Sequence, residues 1–423
     1  MSDPAGRGDG ELPTPRPWAR VLADRTLPIS VAVGIMVGVG VYVFEHVITV
    51  MLEGVRAAPV GFMVAAPALG LLVTALVLRL GPEPRSRATA DEYIMSVHDR
   101  TRRITLRQLG TRMFAAVATL GSGGALGLEG PAVMLGAGTG DNVGRGLSRR
   151  MRVDHRALLV AGAAAAVAAV FKAPATGAVF ALEVPYRSDM ARHQLMPALV
   201  GAASGYVALV SFAGTERLFR VADNPPFDLR DLGGALVLGV VGGFLARIIA
   251  RSIRWAKHWA GSTKAPIRLP LASAALIAAA FSAYHLTDMP LGIGPGYLVL
   301  DWLDDPELAL GVVLAMLLIR FVAVIATTAG GGVGGFFVPL VVLGGLLGRA
   351  AGSVVGLGRS GLFPILGVAA VLGAGYQVPL AAVMFVAETS GRPGYVVPAL
   401  LAAVAADLAM GDESVTDYQR DGA

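Results

Sequence analysis

The feature that most limits what this chain can fold into is its series of long apolar runs. Ile29–Val50, Val60–Leu80, Leu195–Phe212, Gly234–Ile253, Leu269–Tyr284, Leu308–Thr328 and Val396–Met410 hold few charges apiece. Backbone N–H and C=O groups in hydrocarbon must find partners within their own segment, so runs of about twenty residues cross a bilayer as helices. Charged residues make up only 15% of the chain, against roughly a quarter in a soluble domain. The expected fold class is an all-α polytopic membrane protein, with the lipid bilayer as its surroundings. The 55 glycines fit helices that pack closely there.

The ends are polar. Residues 1–26 read as an arm rich in Gly, Pro, Arg and Asp, and residues 411–423 as a polar tail. The first apolar run starts too late for a signal peptide and lacks its small-residue cleavage site, so it is expected to be a retained helix. A net charge of +5 would invite nucleic acid in a soluble protein. Here the arginines lie between apolar runs, as Arg145, Arg149, Arg150, Arg152 and Arg156 do, which reads as a cytoplasmic loop setting orientation. No nucleic-acid partner is expected. With no cysteine, disulfides and thiolate chemistry are excluded. The six histidines show no ligand spacing, and neither His-Glu-x-x-His nor Gly-x-Ser-x-Gly occurs, so no enzyme activity, metal or cofactor is expected.

Two glycine-rich stretches stand inside this apolar sequence, Gly121–Pro131 and Gly330–Pro339. Each ends at a proline followed by a helix-like run with a Leu-Gly pair, Leu135-Gly136 and Leu343-Gly344. Proline suits the first turn of a helix, where its missing N–H would be unpaired anyway. Glycine lets backbone approach a ligand, and a helix N-terminus attracts anions through its free N–H groups. Two such starts within a membrane point to an anion path. Lys172-Ala-Pro174 interrupts the apolar segment Ala157–Pro185, and Leu362–Glu388 is interrupted likewise, which predicts pairs of short helices.

The two halves repeat. Gly34 and Gly38 match Gly239 and Gly243 at an offset of 205, and Pro174, Phe180 and Glu183 match Pro379, Phe385 and Glu388 at the same offset. Pro131 and Pro339 match at 208. The expected division is a first membrane repeat over 27–213 and a second over 214–410. Repeats with broken helices place an ion site near the midplane, at the repeat interface.

With Gly127-Leu-Glu-Gly-Pro131, Gly335-Phe-Phe-Val-Pro339 and Phe171-Lys-Ala-Pro174 in order, the chain resembles the CLC family of chloride channels and proton/chloride antiporters, over roughly Ile29 to Met410. The resemblance implies two inverted-topology repeats with broken, tilted helices, and a homodimer with one pore per subunit. It implies that Glu129 is the gating glutamate, whose carboxylate competes with the anion. It assigns the central anion ligands to the backbone of Gly335, Phe336, Phe337 and Val338. A carboxylate at a helix N-terminus is stabilised where an anion would be, which supports the first assignment independently.

The chain departs from the family pattern at several positions. If Glu92 holds the family's glutamate position, Ala88 falls where an anion-binding serine belongs, and Thr89 or Ser86 supplies a hydroxyl only if the register slips. Leu128 replaces a basic residue before the gate. Ser414–Gln419 lies where the family's pore tyrosine belongs, with Thr416 and Tyr418 as rivals and the flanking residues favouring Thr416. Val184 replaces the inner, proton-carrying glutamate of the antiporters. Glu183 and Glu388 read as structural, hydrogen-bonded acids at helix ends. The expected function is chloride transport, channel-like or weakly coupled to protons. The alternatives are a proton-coupled chloride or fluoride antiporter of the same fold and, from another class, a non-transporting membrane scaffold. A bacterial cytoplasmic membrane is the simplest location.

Overall fold

The computed structural model describes residues 25–82, 88–148, 150–151, 153–187, 189–215, 229–355 and 361–422. Most of the arm at 1–26, together with Ser86, Arg149 and Arg152, lies outside the described residues. Sixteen α-helices follow in order among those described: α1 Thr26–Ala57, α2 Val60–Leu80, α3 Thr89–His98, α4 Leu106–Gly121, α5 Glu129–Ser148, α6 His155–Phe171, α7 Pro174–Glu183, α8 Leu195–Ala213, α9 Leu229–Ser262, α10 Ala265–Thr287, α11 Tyr297–Trp302, α12 Leu310–Ala329, α13 Phe337–Val355, α14 Leu362–Tyr376, α15 Pro379–Ser390 and α16 Val396–Met410. Among the described residues, eight spans are long and apolar enough to cross a membrane, and the protein is a multi-pass membrane protein.

Two expectations from hydropathy need correction. Helix α1 starts at Thr26 and runs on to Ala57, so the arm yields its last residue to it. Helix α9 covers Leu229–Ser262, well beyond the apolar run Gly234–Ile253. Backbone hydrogen bonding does not stop where hydrophobicity does, and Glu413 pairs with Arg251 at the end of the run and with Arg254 on the extension. The short α11 lies in a stretch with no long apolar run and was not expected.

Small residues set how closely the helices approach. A Cβ on Gly34 or Gly38 of α1 would press on the backbone of Gly201 or Gly205 in α8. In the second half, Gly239 and Gly243 of α9 meet the backbone of Ala402 and Ala406 in α16 in the same way. Without a hydrophobic drive between helices in lipid, such backbone approach is the main source of contact.

The innermost helices are α6 and α14, buried along almost their whole length. Each stops at a left-handed residue, Lys172 (φ 52°) and Gln377 (φ 57°), and each restarts two residues later with proline in its first turn. The αL conformation turns the chain, and the proline has no N–H to leave unpaired at the new helix start. These are the two interrupted segments expected from the sequence, and they lie 205 residues apart.

The breaks are stabilised across the repeats. Glu183, the last residue of α7, accepts from the backbone N–H groups of Leu380 (3.2 Å) and Ala381 (2.9 Å) at the start of α15. Glu388, near the end of α15, accepts from Ala175 N (2.9 Å), Thr176 N (2.7 Å) and Thr176 Oγ1 (2.6 Å) at the start of α7. Both acids are the helix-end residues the sequence suggested. The sequence did not show that each one caps the other's helix.

The polar tail folds back. Arg420–Asp421 pairs as a two-residue parallel strand with Tyr186–Arg187. Gln419 Nε2 donates to the carbonyls of Val184 (3.0 Å) and Tyr376 (2.8 Å).

Candidate anion site

The two glycine stretches meet in the interior. Gly127 and Gly335 form an antiparallel bridge with each other. Their supports are exchanged as well. Thr119, in the helix before the first stretch, accepts from Val333 N of the second (3.0 Å). Thr327, in the helix before the second stretch, accepts from Ala125 N of the first (3.1 Å). Thr119 and Thr327 lie 208 residues apart, as do Ala125 and Val333. That is also the offset of Pro131 and Pro339. Helices α5 and α13 therefore begin side by side, at Glu129 and Phe337, each with its proline as third residue.

The Glu129 carboxylate is buried between them. Its Oε1 accepts from Phe337 N at 2.6 Å, across 208 residues of sequence. A hydrogen bond to a charged group is worth about 1.5–3 kcal/mol net. The seat exists only because its walls lack side chains: a Cβ on Gly127 or on Gly335 would run into this carboxylate. The other oxygen, Oε2, has no hydrogen-bond partner among the described residues. The arrangement is a negative group held by the N-terminus of a neighbouring helix, at a place an anion could take.

Behind Phe337 lies an aromatic cluster. Phe171 stacks on Phe337 with centroids 4.3 Å apart, and Phe385 meets Phe337 edge-on at 5.0 Å. Phe336 and Val338 are buried beside it. The Tyr376 hydroxyl accepts from Phe336 N at 3.3 Å. Tyr376 was not singled out from the sequence, because a tyrosine ending an apolar run reads as packing. Its offset of 205 from Phe171 was the available signal.

The remaining predicted positions separate. Ala88 is the N-cap of α3 and offers no side-chain cap. The next residue, Thr89, is fully buried, and its Oγ1 has no hydrogen-bond partner among the described residues. A Cβ built on Gly130 would lie 2.6 Å from that oxygen, so the Thr89 hydroxyl faces the residue after Glu129. Glu92 pairs with Arg102 at 2.6 Å. Thr416 is buried and shares a hydrogen bond with Ser414 (3.0 Å), next to a segment in which Val415 N bonds to Gly375 O. Tyr418 is 37% exposed. Leu128 and Val184 are buried. The described residues hold no group of His, Cys, Asp and Glu able to bind a metal ion.

A family profile described as voltage gated chloride channel matches residues 69–411. This chain belongs to the voltage-gated chloride channel family. Among relatives of this chloride channel homologue, the putative chloride channel protein ClcB-like of Ralstonia nicotianae is 30% identical over 370 residues, which is 82% of each chain. The H(+)/Cl(-) exchange transporter ClcA of Cronobacter sakazakii is 26% identical over 315 residues, 71% of this chain and 66% of the relative. Two solved structures share the CLC fold with a TM-score of 0.80. A slow cyanobacterial Cl-/H+ antiporter does so at 19% identity, over 91% of this chain and 94% of its own. A CLC-type fluoride/proton antiporter does so at 21%, over 96% and 100%.

Proposed function

We propose that this chain carries a small anion, chloride by default, across the membrane along a path lined by the starts of α5 and α13, with Glu129 as its gate. The observation that carries the reading is the 2.6 Å bond from Phe337 N to Glu129 Oε1. The carboxylate occupies a backbone donor that a free anion would use, so the two compete. Protonation removes the charge, weakens that bond and frees the position. Flux therefore rises as pH falls.

Transport is channel-like or weakly coupled to protons. Val184 has no group that binds a proton, and its carbonyl is tied to Gln419. The relatives named exchangers keep a proton-coupled chloride or fluoride antiporter as the second reading. The path uses the backbone of Gly335, Phe336, Phe337 and Val338. Its hydroxyl donors come from Thr89 and Thr416, since Ala88 has none and Tyr418 is partly in solvent. The working unit is a homodimer with one path per subunit, as the family resemblance implies. The reaction is transport and not catalysis.

The test is anion efflux from proteoliposomes with external pH recorded, for the native protein and Glu129→Gln. Chloride efflux that accelerates at low pH in the native protein, and loses that dependence in Glu129→Gln, is expected. Uphill proton movement driven by chloride would replace the channel-like reading with the antiporter. No flux of chloride or fluoride would leave the scaffold.

A further inference from the structure

The aromatic cluster around Phe337 contains a single oxygen. Its other rings form two repeat-related pairs: Phe180 with Phe385, and Phe171 with Tyr376, each 205 residues apart. Phe180 meets Tyr376 edge-on at 5.6 Å, and Phe171 meets Phe385 edge-on at 5.2 Å. Packing needs a ring at each of the four positions and has one. Only at Tyr376 is a hydroxyl added, so packing does not account for it.

The position of that oxygen is specific. A phenol buried among apolar rings loses its water and must be hydrogen-bonded within the protein. Tyr376 is 1% exposed. Its oxygen accepts from Phe336 N at 3.3 Å, and Glu129 takes the next amide, Phe337 N. Hydroxyl and carboxylate thus sit on consecutive N–H groups of one helix start. A phenol is also a donor. Its own proton has no acceptor among the described residues, although it is as buried as the oxygen that carries it. At 3.3 Å the bond from Phe336 N is just longer than the usual range and is readily exchanged.

We propose that Tyr376 is a ligand of the transported anion: its O–H donates to an anion held at the Phe336 and Phe337 amides, a hydroxyl supplied from the end of α14 where Ala88 supplies none at the start of α3. The inference rests on the anion-site reading above. Arrival of the anion gives the phenol proton its acceptor and returns Phe336 N to the anion. The two amides and the phenol, all from the second repeat, then converge on the anion. Such a donor set favours small anions of high charge density, so fluoride gains more from the phenol than chloride does.

The test is isothermal titration of chloride and of fluoride into purified detergent-solubilised protein, in Glu129→Gln and in the double variant Glu129→Gln/Tyr376→Phe. The glutamine removes the competing charge, and phenylalanine keeps the ring. Binding about 10-fold weaker in the double variant is expected for one lost hydrogen bond to an anion, with the larger loss for fluoride. Equal binding would make the hydroxyl a bystander, and tighter binding would make it a competitor for Phe336 N; either overturns the proposal. If Glu129→Gln itself binds neither anion, the anion-site reading fails first and this inference falls with it. Should the double variant not fold, 3,5-difluorotyrosine at position 376 keeps the shape and strengthens the donor. Tighter binding at pH 5.5 is then expected, and no change overturns the proposal.

Discussion

Gly127 and Gly335 exchange both backbone hydrogen bonds, Gly127 N to Gly335 O at 2.9 Å and Gly335 N to Gly127 O at 2.7 Å. This two-bond bridge joins the loops that precede α5 and α13, and the Glu129 carboxylate lies against it. Neither residue has a positive φ, so glycine is needed here for space and not for backbone freedom.

Replacing Gly335 by alanine therefore tests the seat directly. The new Cβ would fall on the Glu129 carboxylate and 2.5 Å from Gly130 N. A loss of about 1–3 kcal/mol is expected from overpacking, read as a lower melting temperature in detergent, together with weaker pH dependence of flux. Gly54→Ala is the control. Gly54 sits inside α1 with nothing within 4 Å of an added Cβ, and helix propensity predicts no loss, or a gain of up to about 1 kcal/mol.

Thr89→Val separates a ligand from a packing residue. Valine matches threonine in shape and removes a buried hydroxyl that has no partner among the described residues. Stability is expected to hold or rise, because an unsatisfied group disappears. Apparent anion affinity in liposome flux is expected to fall about 2–10-fold, the range of one ordinary hydrogen bond. Unchanged affinity would remove Thr89 from the path.

Glu388→Ala is expected to destabilise more than Glu183→Ala. The first removes three hydrogen bonds at the start of α7, and the second removes two at the start of α15. Losses of about 2–4 kcal/mol and 1–3 kcal/mol follow from exposing helix-start N–H groups with no acceptor. Thermal melts of both variants check the order, and the reverse order would contradict it.

Lys257→Met is expected to loosen the tail. The ammonium group reaches Asp91 (3.2 Å), Asp417 (2.5 Å) and the carbonyl of Val415 (3.0 Å), joining α9, α3 and the C-terminal segment. Only Asp417 of the three charged groups is substantially exposed. Hydrogen exchange over residues 414–421 is expected to quicken by at least 10-fold. Lys257→Arg, which keeps the charge, is expected to restore much of the protection.

The sequence was most legible where hydrophobicity and hydrogen bonding coincide. The limits Val60–Leu80 were read directly from the apolar run and are those of α2. The breaks at Lys172 and Gln377 were legible from a proline behind a polar residue. Helix α9 outran its apolar stretch because a helix ends where its carbonyls find other partners. The tail was misleading for a related reason. Its polar side chains suggested water, yet Gln419 spends its amide on carbonyls at the end of α14 and just beyond α7. At the site, glycine and proline marked the two helix starts, and the offset of 208 tied them together. The family register admitted the Thr89 hydroxyl only through a slip, and the Tyr376 phenol was hidden among aromatics chosen for packing.

The reciprocal arrangement of Glu183 and Glu388 bears on how such a protein can be made. Each half of the chain carries the stopper that the other half lacks, and neither is a finished object. A first half synthesised alone would hold a glutamate with no helix start to receive it and a helix start with no glutamate. Cutting the gene within the connection at 216–228 should yield two inert fragments that regain stability only when made together. The ribosome, which delivers the halves one after the other, must release the first into the membrane incomplete and wait for the second to close it.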